Sequence, residues 1–134
     1  MNAVDTNVLM YVHDPRDPRK QTVAANLVAT LGETALLWQV MCEFLAASRK
    51  LEAYGFTFEY ACDELRILRR VWASVLPTET SLERVPTLRS RYSLSFWDSL
   101  LVSGCLTGGI TRLYTEDFGG HRDIDGLEIV NPFL

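Results

Sequence analysis

Apolar positions along this chain alternate between short continuous runs and stripes at helical spacing. The opening run, Met1-Asn2-Ala3-Val4, suits a buried first strand. Thr6 or Asn7 stands where it can cap a helix through Val8-Leu9-Met10-Tyr11-Val12. The polar residues 14–18 read as a loop, with Asp17 as the next N-cap and Pro18 at the first helical position. Val23, Leu27, Val28 and Leu31 then form an apolar stripe that Gly32 ends. Residues 34–37 read as a second strand. A helix over 39–53 places Val40, Phe44, Ala47 and Leu51 on one face, and Gly55 closes it. Thr57 caps a helix over 58–72, and residues 74–76 make a third short strand. The helix over 81–91 is kinked or divided at Pro86. Ser95 caps a helix over 96–106, which Gly108-Gly109 stops. Residues 111–114 and 127–130 supply the fourth and fifth strands.

Strands that alternate with helices imply a parallel sheet covered on both faces. The pattern therefore predicts an α/β fold, three layers deep (α/β/α), around a central parallel sheet of about five strands. In such sheets ligands bind outside the carboxyl ends of the strands. Asp5 follows the first strand and Asp117 the fourth, while Glu43 and Asp98 lie near helix starts that face the same edge. Each of the four borders an apolar segment, where a carboxylate loses solvation and needs a partner. Carboxylates brought together raise one another's pKa unless a cation is present. A divalent ion with oxygen ligands, Mg²⁺ or Mn²⁺, is the economical explanation, and such ions serve phosphoryl chemistry.

At 134 residues the chain has the length of one domain, and its 48% apolar content is enough for a core. No internal repeat or Gly/Ser/Pro-rich linker divides it. No segment is long and apolar enough for a membrane span, and residues 1–5 lack a basic region followed by an apolar one, so a secretory leader is not expected. Cys42, Cys62 and Cys105 have no zinc-like spacing and read as small buried hydrophobes in a reducing cytoplasm. The net charge of −4 argues against non-specific duplex binding as the main task, although arginine clusters such as Arg66, Arg69 and Arg70 can meet phosphate locally. Trp97 reads as core, and Trp38 and Trp72 as core or dimer contacts. His13, His121, Glu116 and Asp123 read as structural or surface groups, with Glu116 and Asp123 the nearest spare acids to a second metal.

Four motifs stand in order along the chain: Asp5-Thr6-Asn7-Val8-Leu9, the helical Glu43, Ser95-Phe96-Trp97-Asp98-Ser99-Leu100, and Thr115-Glu116-Asp117-Phe118. Together with the closing Gly126-Leu127-Glu128-Ile129-Val130-Asn131-Pro132-Phe133, they resemble the PIN-domain ribonucleases, especially the VapC-like toxins of toxin–antitoxin pairs. The resemblance spans essentially the whole chain, residues 1–134, as one PIN-like nuclease domain. It implies a Mg²⁺- or Mn²⁺-dependent endoribonuclease with Asp5, Glu43, Asp98 and Asp117 as the acidic site. It further implies Asp5 and Asp98 as metal ligands, with Asn7 and Thr115 in support. It also implies an RNA substrate, a homodimer and a cognate antitoxin protein. The aromatic residues Phe44, Phe56, Phe58, Tyr60 and Trp72 add to the expectation of an interface.

Other classes are distinguishable. A catalytically weak PIN domain that binds RNA or protein has no need for a full acidic quartet. A flap-type DNA nuclease needs longer insertions than this length allows. An aspartyl-phosphate enzyme needs D-x-D, and Asp5-Thr6-Asn7 supplies one carboxylate only.

Overall fold

The short apolar runs pair into one sheet in the computed structural model, which describes residues 1–134. The strands are β1 (Asn2–Val4), β2 (Thr34–Leu37), β3 (Ala73–Val75), β4 (Arg112–Tyr114), β5 (Asp123–Ile124) and β6 (Leu127–Val130). Their order is β3-β2-β1-β4-β6-β5. Five strands run parallel, and β5 joins the edge antiparallel to β6. The sheet thus has six strands where the sequence pattern suggested about five. The extra one is made by a two-residue turn, Asp125-Gly126, in which both residues have positive φ (52° and 90°). That backbone matches the twist of an antiparallel hairpin, and Asp-Gly suits it.

The helices are α1 (Thr6–Val12), α2 (Pro18–Thr30), α3 (Trp38–Ala47), α4 (Phe58–Val71), α5 (Glu79–Glu83), α6 (Val85–Tyr92) and α7 (Phe96–Thr107). One group consists of α1 against α2 and α3, with α4 on α3; the other is α5 and α6 on α7. The two groups cover the sheet in a three-layer α/β/α arrangement. Local chemistry sets most helix starts. Asp17, Thr57 and Ser95 accept backbone N–H bonds from Lys20, Tyr60 and Asp98. The helix expected over 39–53 instead ends at Ala47 and tightens into a 3₁₀ segment, Ser48–Tyr54, before Gly55 at φ 89°. Pro86 divides its segment, standing in the first turn of α6 where its missing N–H costs nothing.

The core joins both helix layers to the sheet through Val4, Leu36, Phe44, Val102 and Leu113, all essentially without solvent contact. Phe44 fixes the rotation of α3 about its axis and so the direction of its neighbour Glu43. The core reading of Trp97 fails: in the first turn of α7 it is 62% exposed. Trp38 is 50% exposed at the start of α3, whereas Trp72 is buried. Of the three cysteines only Cys105 is buried; Cys42 is exposed and Cys62 half-buried. Of the aromatic residues read as interface, Phe44 and Trp72 belong to the core, while Phe58 and Tyr60 face outward on α4.

Phe44→Ala should cost about 3–5 kcal/mol of unfolding free energy, since it empties a fully buried site. Ile67→Ala, on the exposed side of α4, should change stability by less than about 0.5 kcal/mol. Urea titrations of the two variants check this.

Candidate active site

The sheet reverses its winding beside β1. From β1 the chain proceeds outward through β2 to β3, then returns to place β4 on the other side of β1. A crevice opens at the carboxyl ends of β1 and β4, the position where such sheets bind ligands. Asp5 leaves β1 there, and residues 115–117 leave β4. Both segments are fixed to the neighbouring strand, since the Asp5 N–H donates to the Tyr114 carbonyl of β4 and the Thr115 N–H to the Val130 carbonyl of β6.

Asp5 is itself the N-cap of α1, a role expected of Thr6 or Asn7. Its Oδ1 accepts the Thr6 N–H at 2.7 Å. Its Oδ2 accepts the Thr115 hydroxyl at 2.8 Å, in a buried contact, and more weakly the Asn7 amide at 3.4 Å. The Asn7 Nδ2 also donates to Thr115 Oγ1 at 3.1 Å and Asp117 Oδ2 at 3.2 Å. The Asp117 N–H donates to Thr115 Oγ1 at 3.1 Å. Thr115 Oγ1 therefore receives two donors and sends its own proton to Asp5. Asn7 and Thr115, the expected supports, link Asp5 to Asp117 in one network.

Glu43 comes from α3. Its Oε2 accepts the Thr6 hydroxyl at 2.9 Å and its Oε1 the Gln39 amide at 2.7 Å. The same Gln39 amide donates to the Trp97 carbonyl at 3.1 Å, so it ties α3 to the start of α7. Asp98 stands in the first turn of α7, after its Ser95 cap, where the helix dipole favours negative charge. Thr6 and Gln39 were not among the expected site residues. The signal for Gln39 was its position four residues before Glu43 on the same helix face.

Asp5 and Asp98 each feel the charges of Asp117 and Glu43. Burial is the main cause that lifts the Asp5 pKa to about 6, against the lowering effect of Thr115 and Thr6, and the charges of Asp117 and Glu43 lift it further. The Asp98 pKa is also raised, first by burial and then, against Ser95, by Asp117 and Glu43. None of the chain's ion pairs includes any of the four. The crevice thus holds concentrated negative charge without a lysine or arginine paired to it. Its donors are all oxygen, which suits a hard divalent cation. No three acidic, histidine or cysteine side chains close around one point as direct ligands. A Mg²⁺ ion, which keeps several waters and takes one or two carboxylates directly, does not require three such ligands. Glu116, one of the spare acids, turns away and pairs with Lys20 at 2.7 Å.

A family model described as the PIN domain matches residues 3–127. No curated protein sequence gives a significant match. The fold is similar to that of a toxin–antitoxin complex from Klebsiella pneumoniae, at TM-score 0.69 and 18% identity over 98% of each chain. It is similar to VapBC2 from Rickettsia felis, solved with a DNA fragment from their promoter, at TM-score 0.68 and 16% identity over 97% of each chain. It is also similar to VapC20 of Mycobacterium tuberculosis, a toxin that cleaves the sarcin–ricin loop. There the TM-score is 0.67 and the identity 20%, over 88% of this chain and 92% of that one. At these identities the likeness is one of fold.

Asp5 makes the metal-free protein pH-sensitive. Its pKa is higher folded (about 6) than unfolded (3.8), so the folded state holds the extra proton between those values. The associated stability is fully present below the unfolded value and is lost as pH rises through about 6. Unfolding in chelator at pH 4 to 8 should show this loss, and Asp5→Asn should flatten the slope whatever its absolute stability. An unchanged slope in the variant counts against the buried charge as its source.

Proposed function

Since this chain belongs to the PIN-domain family, we propose that it is a metal-dependent endoribonuclease, the toxin of a toxin–antitoxin pair, with residues 1–134 acting as one nuclease unit. The observation that carries the reading is the convergence of Asp5, Glu43, Asp98 and Asp117 at the switch point of the sheet, with no basic side chain paired to them.

In this reading Asp5 and Asp98 would hold Mg²⁺ or Mn²⁺, and Glu43 and Asp117 would complete the acidic site. When bound, such an ion neutralises charge on the scissile phosphate and acidifies water. The chain's own part is preorganisation. Thr6 N–H and the Thr115 hydroxyl hold the Asp5 oxygens outward from β1. Gln39 and the Thr6 hydroxyl fix both Glu43 oxygens. Asn7 holds Asp117 against Thr115. Side chains so restrained lose little freedom on binding, and geometry of this kind governs rate. A carboxylate of the quartet would accept the proton of the attacking water. No cysteine or histidine nucleophile is required.

The fold neighbours from toxin–antitoxin complexes support an antitoxin partner. A lysine or arginine of that partner entering the quartet would supply the missing positive charge. A homodimer in the cytoplasm is part of the same proposal. No helix is long and apolar enough to cross a membrane.

Purified protein should cleave structured RNA with Mg²⁺ or Mn²⁺ and stop in EDTA, and Zn²⁺ should substitute poorly for oxygen ligands. Asp5→Asn, Glu43→Gln, Asp98→Asn and Asp117→Asn should each lose at least about 100-fold in rate while folded. Full cleavage in excess chelator, or by the Asp5 or Asp98 variant, would refute the site. RNA binding without cleavage by the intact chain would instead support a non-catalytic PIN domain.

A further inference from the structure

Glu116 lies between Thr115 and Asp117, yet its side chain points out of the acidic crevice. The Tyr11 hydroxyl donates to its Oε1 and the Lys20 ammonium to its Oε2, each at 2.7 Å. Lys20 also donates to the Tyr11 oxygen at 3.2 Å, so the three groups close a ring of polar contacts. The Lys20 ammonium lies 4.8 Å from the Tyr11 ring centre and 5.5 Å from that of Phe133. Tyr11 and Phe133 meet edge to face at 5.0 Å, and the Arg19 guanidinium donates to the Phe133 carbonyl at 2.9 Å. The backbone of Lys20 is itself fixed, because its N–H donates to the Asp17 cap of α2. Both side chains of the Lys20–Glu116 pair are about three-quarters buried (24% and 25% exposed), so the pair is more than an exposed surface contact.

The loop on the other side of Asp117 is also constrained. Phe118 is buried at 6% exposure and adopts φ 74°, a conformation that a phenylalanine tolerates only when its surroundings impose it. Asp117 is therefore held between two anchors: the buried Phe118 ring and the Glu116 clamp.

We propose that Lys20 and Tyr11 are positioning residues that set the place of Asp117 and the Thr115 hydroxyl by gripping Glu116. The clamp stands on geometry alone; its consequence for the metal rests on the nuclease reading above. The clamp also removes a fifth negative charge from the crevice by turning Glu116 to a cation on α2. Released from Lys20, Glu116 would let residues 115–117 move, and the contacts of Asp117 and Asn7 with Thr115 would loosen together.

The test compares wild type with Lys20→Met, Tyr11→Phe, Glu116→Gln and Lys20→Arg. Amide hydrogen exchange gives a readout independent of metal. In Lys20→Met, exchange at the Asp117 N–H, which is bonded to Thr115, should rise about tenfold or more, as expected from the loss of a charge-assisted bond. The Leu113 amide in β4 should rise far less than the Asp117 amide. Mn²⁺ binding by calorimetry should weaken several-fold, and Lys20→Arg should retain both protection and affinity. Tyr11→Phe should show the same local effect, smaller. Lys20→Met combined with Glu116→Gln should do no more than either alone. Unchanged exchange at Asp117 in both Lys20→Met and Tyr11→Phe overturns the clamp. Loosening that extends equally into β4 overturns it too, by making the pair merely structural. Should wild type bind no Mn²⁺ and cleave no RNA, the nuclease reading falls, and the exchange contrast still decides the clamp.

Discussion

Negative charge held in a partly dry crevice is the constraint on which the rest of this structure turns. Burial works against an ionised Asp5, and the charges of Asp117 and Glu43 add to the cost. The fold answers with neutral donors rather than cations: the Thr6 N–H, the Thr115 hydroxyl, the Asn7 and Gln39 amides and the Thr6 hydroxyl. Neutral donors orient the carboxylates while leaving their charge uncompensated. A lysine in the same place would have stabilised the protein and filled the site. The lysine that is nearby, Lys20, is spent on Glu116 instead. Stability is thus given up at the place where the proposed cation would bind, as expected of a preorganised site.

The sheet makes this possible because β1 and β4 are neighbours although they are far apart in sequence. Their carboxyl ends carry Asp5 and the 115–117 loop, and backbone bonds from Asp5 to Tyr114 and from Thr115 to Val130 fix the two loops to the sheet. Glu43 and Asp98 arrive on helices whose register is set by buried faces, Phe44 for α3 and Leu101 and Val102 for α7. Gln39 then joins these two helices across the site. Glu43 and Asp98 are thus carried by helices anchored in the core, and Asp5 and Asp117 by segments that leave adjacent strands of the sheet.

Much of this was legible in the residues. Short apolar runs alternating with capped stripes gave the parallel sheet and its helix layers, and topology alone placed the four acids at one edge. What escaped depended on contacts between distant segments or on turn chemistry. The strand at 123–124 is too short for any hydrophobic period to mark it, although Asp125-Gly126 was a visible hairpin signal. Asp5 displaced Thr6 as the cap because the tight exit from β1 brings its own carboxylate onto the next N–H. Trp97 sits in an apolar stretch but at a helix's first turn, where the sheet edge leaves it uncovered; periodicity cannot see that edge. Glu116 read as a solvent-facing acid because its partners, Tyr11 and Lys20, are about a hundred residues away.

Anomalous diffraction at the manganese edge, on crystals grown or soaked with Mn²⁺, tests whether the four carboxylates form one site for a divalent cation. A manganese peak is expected in the crevice in coordination contact with Asp5 and Asp98, and absent from crystals of the Asp5→Asn and Asp98→Asn double variant. Manganese bound only elsewhere on the surface, or a peak in the crevice that survives the double substitution, would contradict that single site.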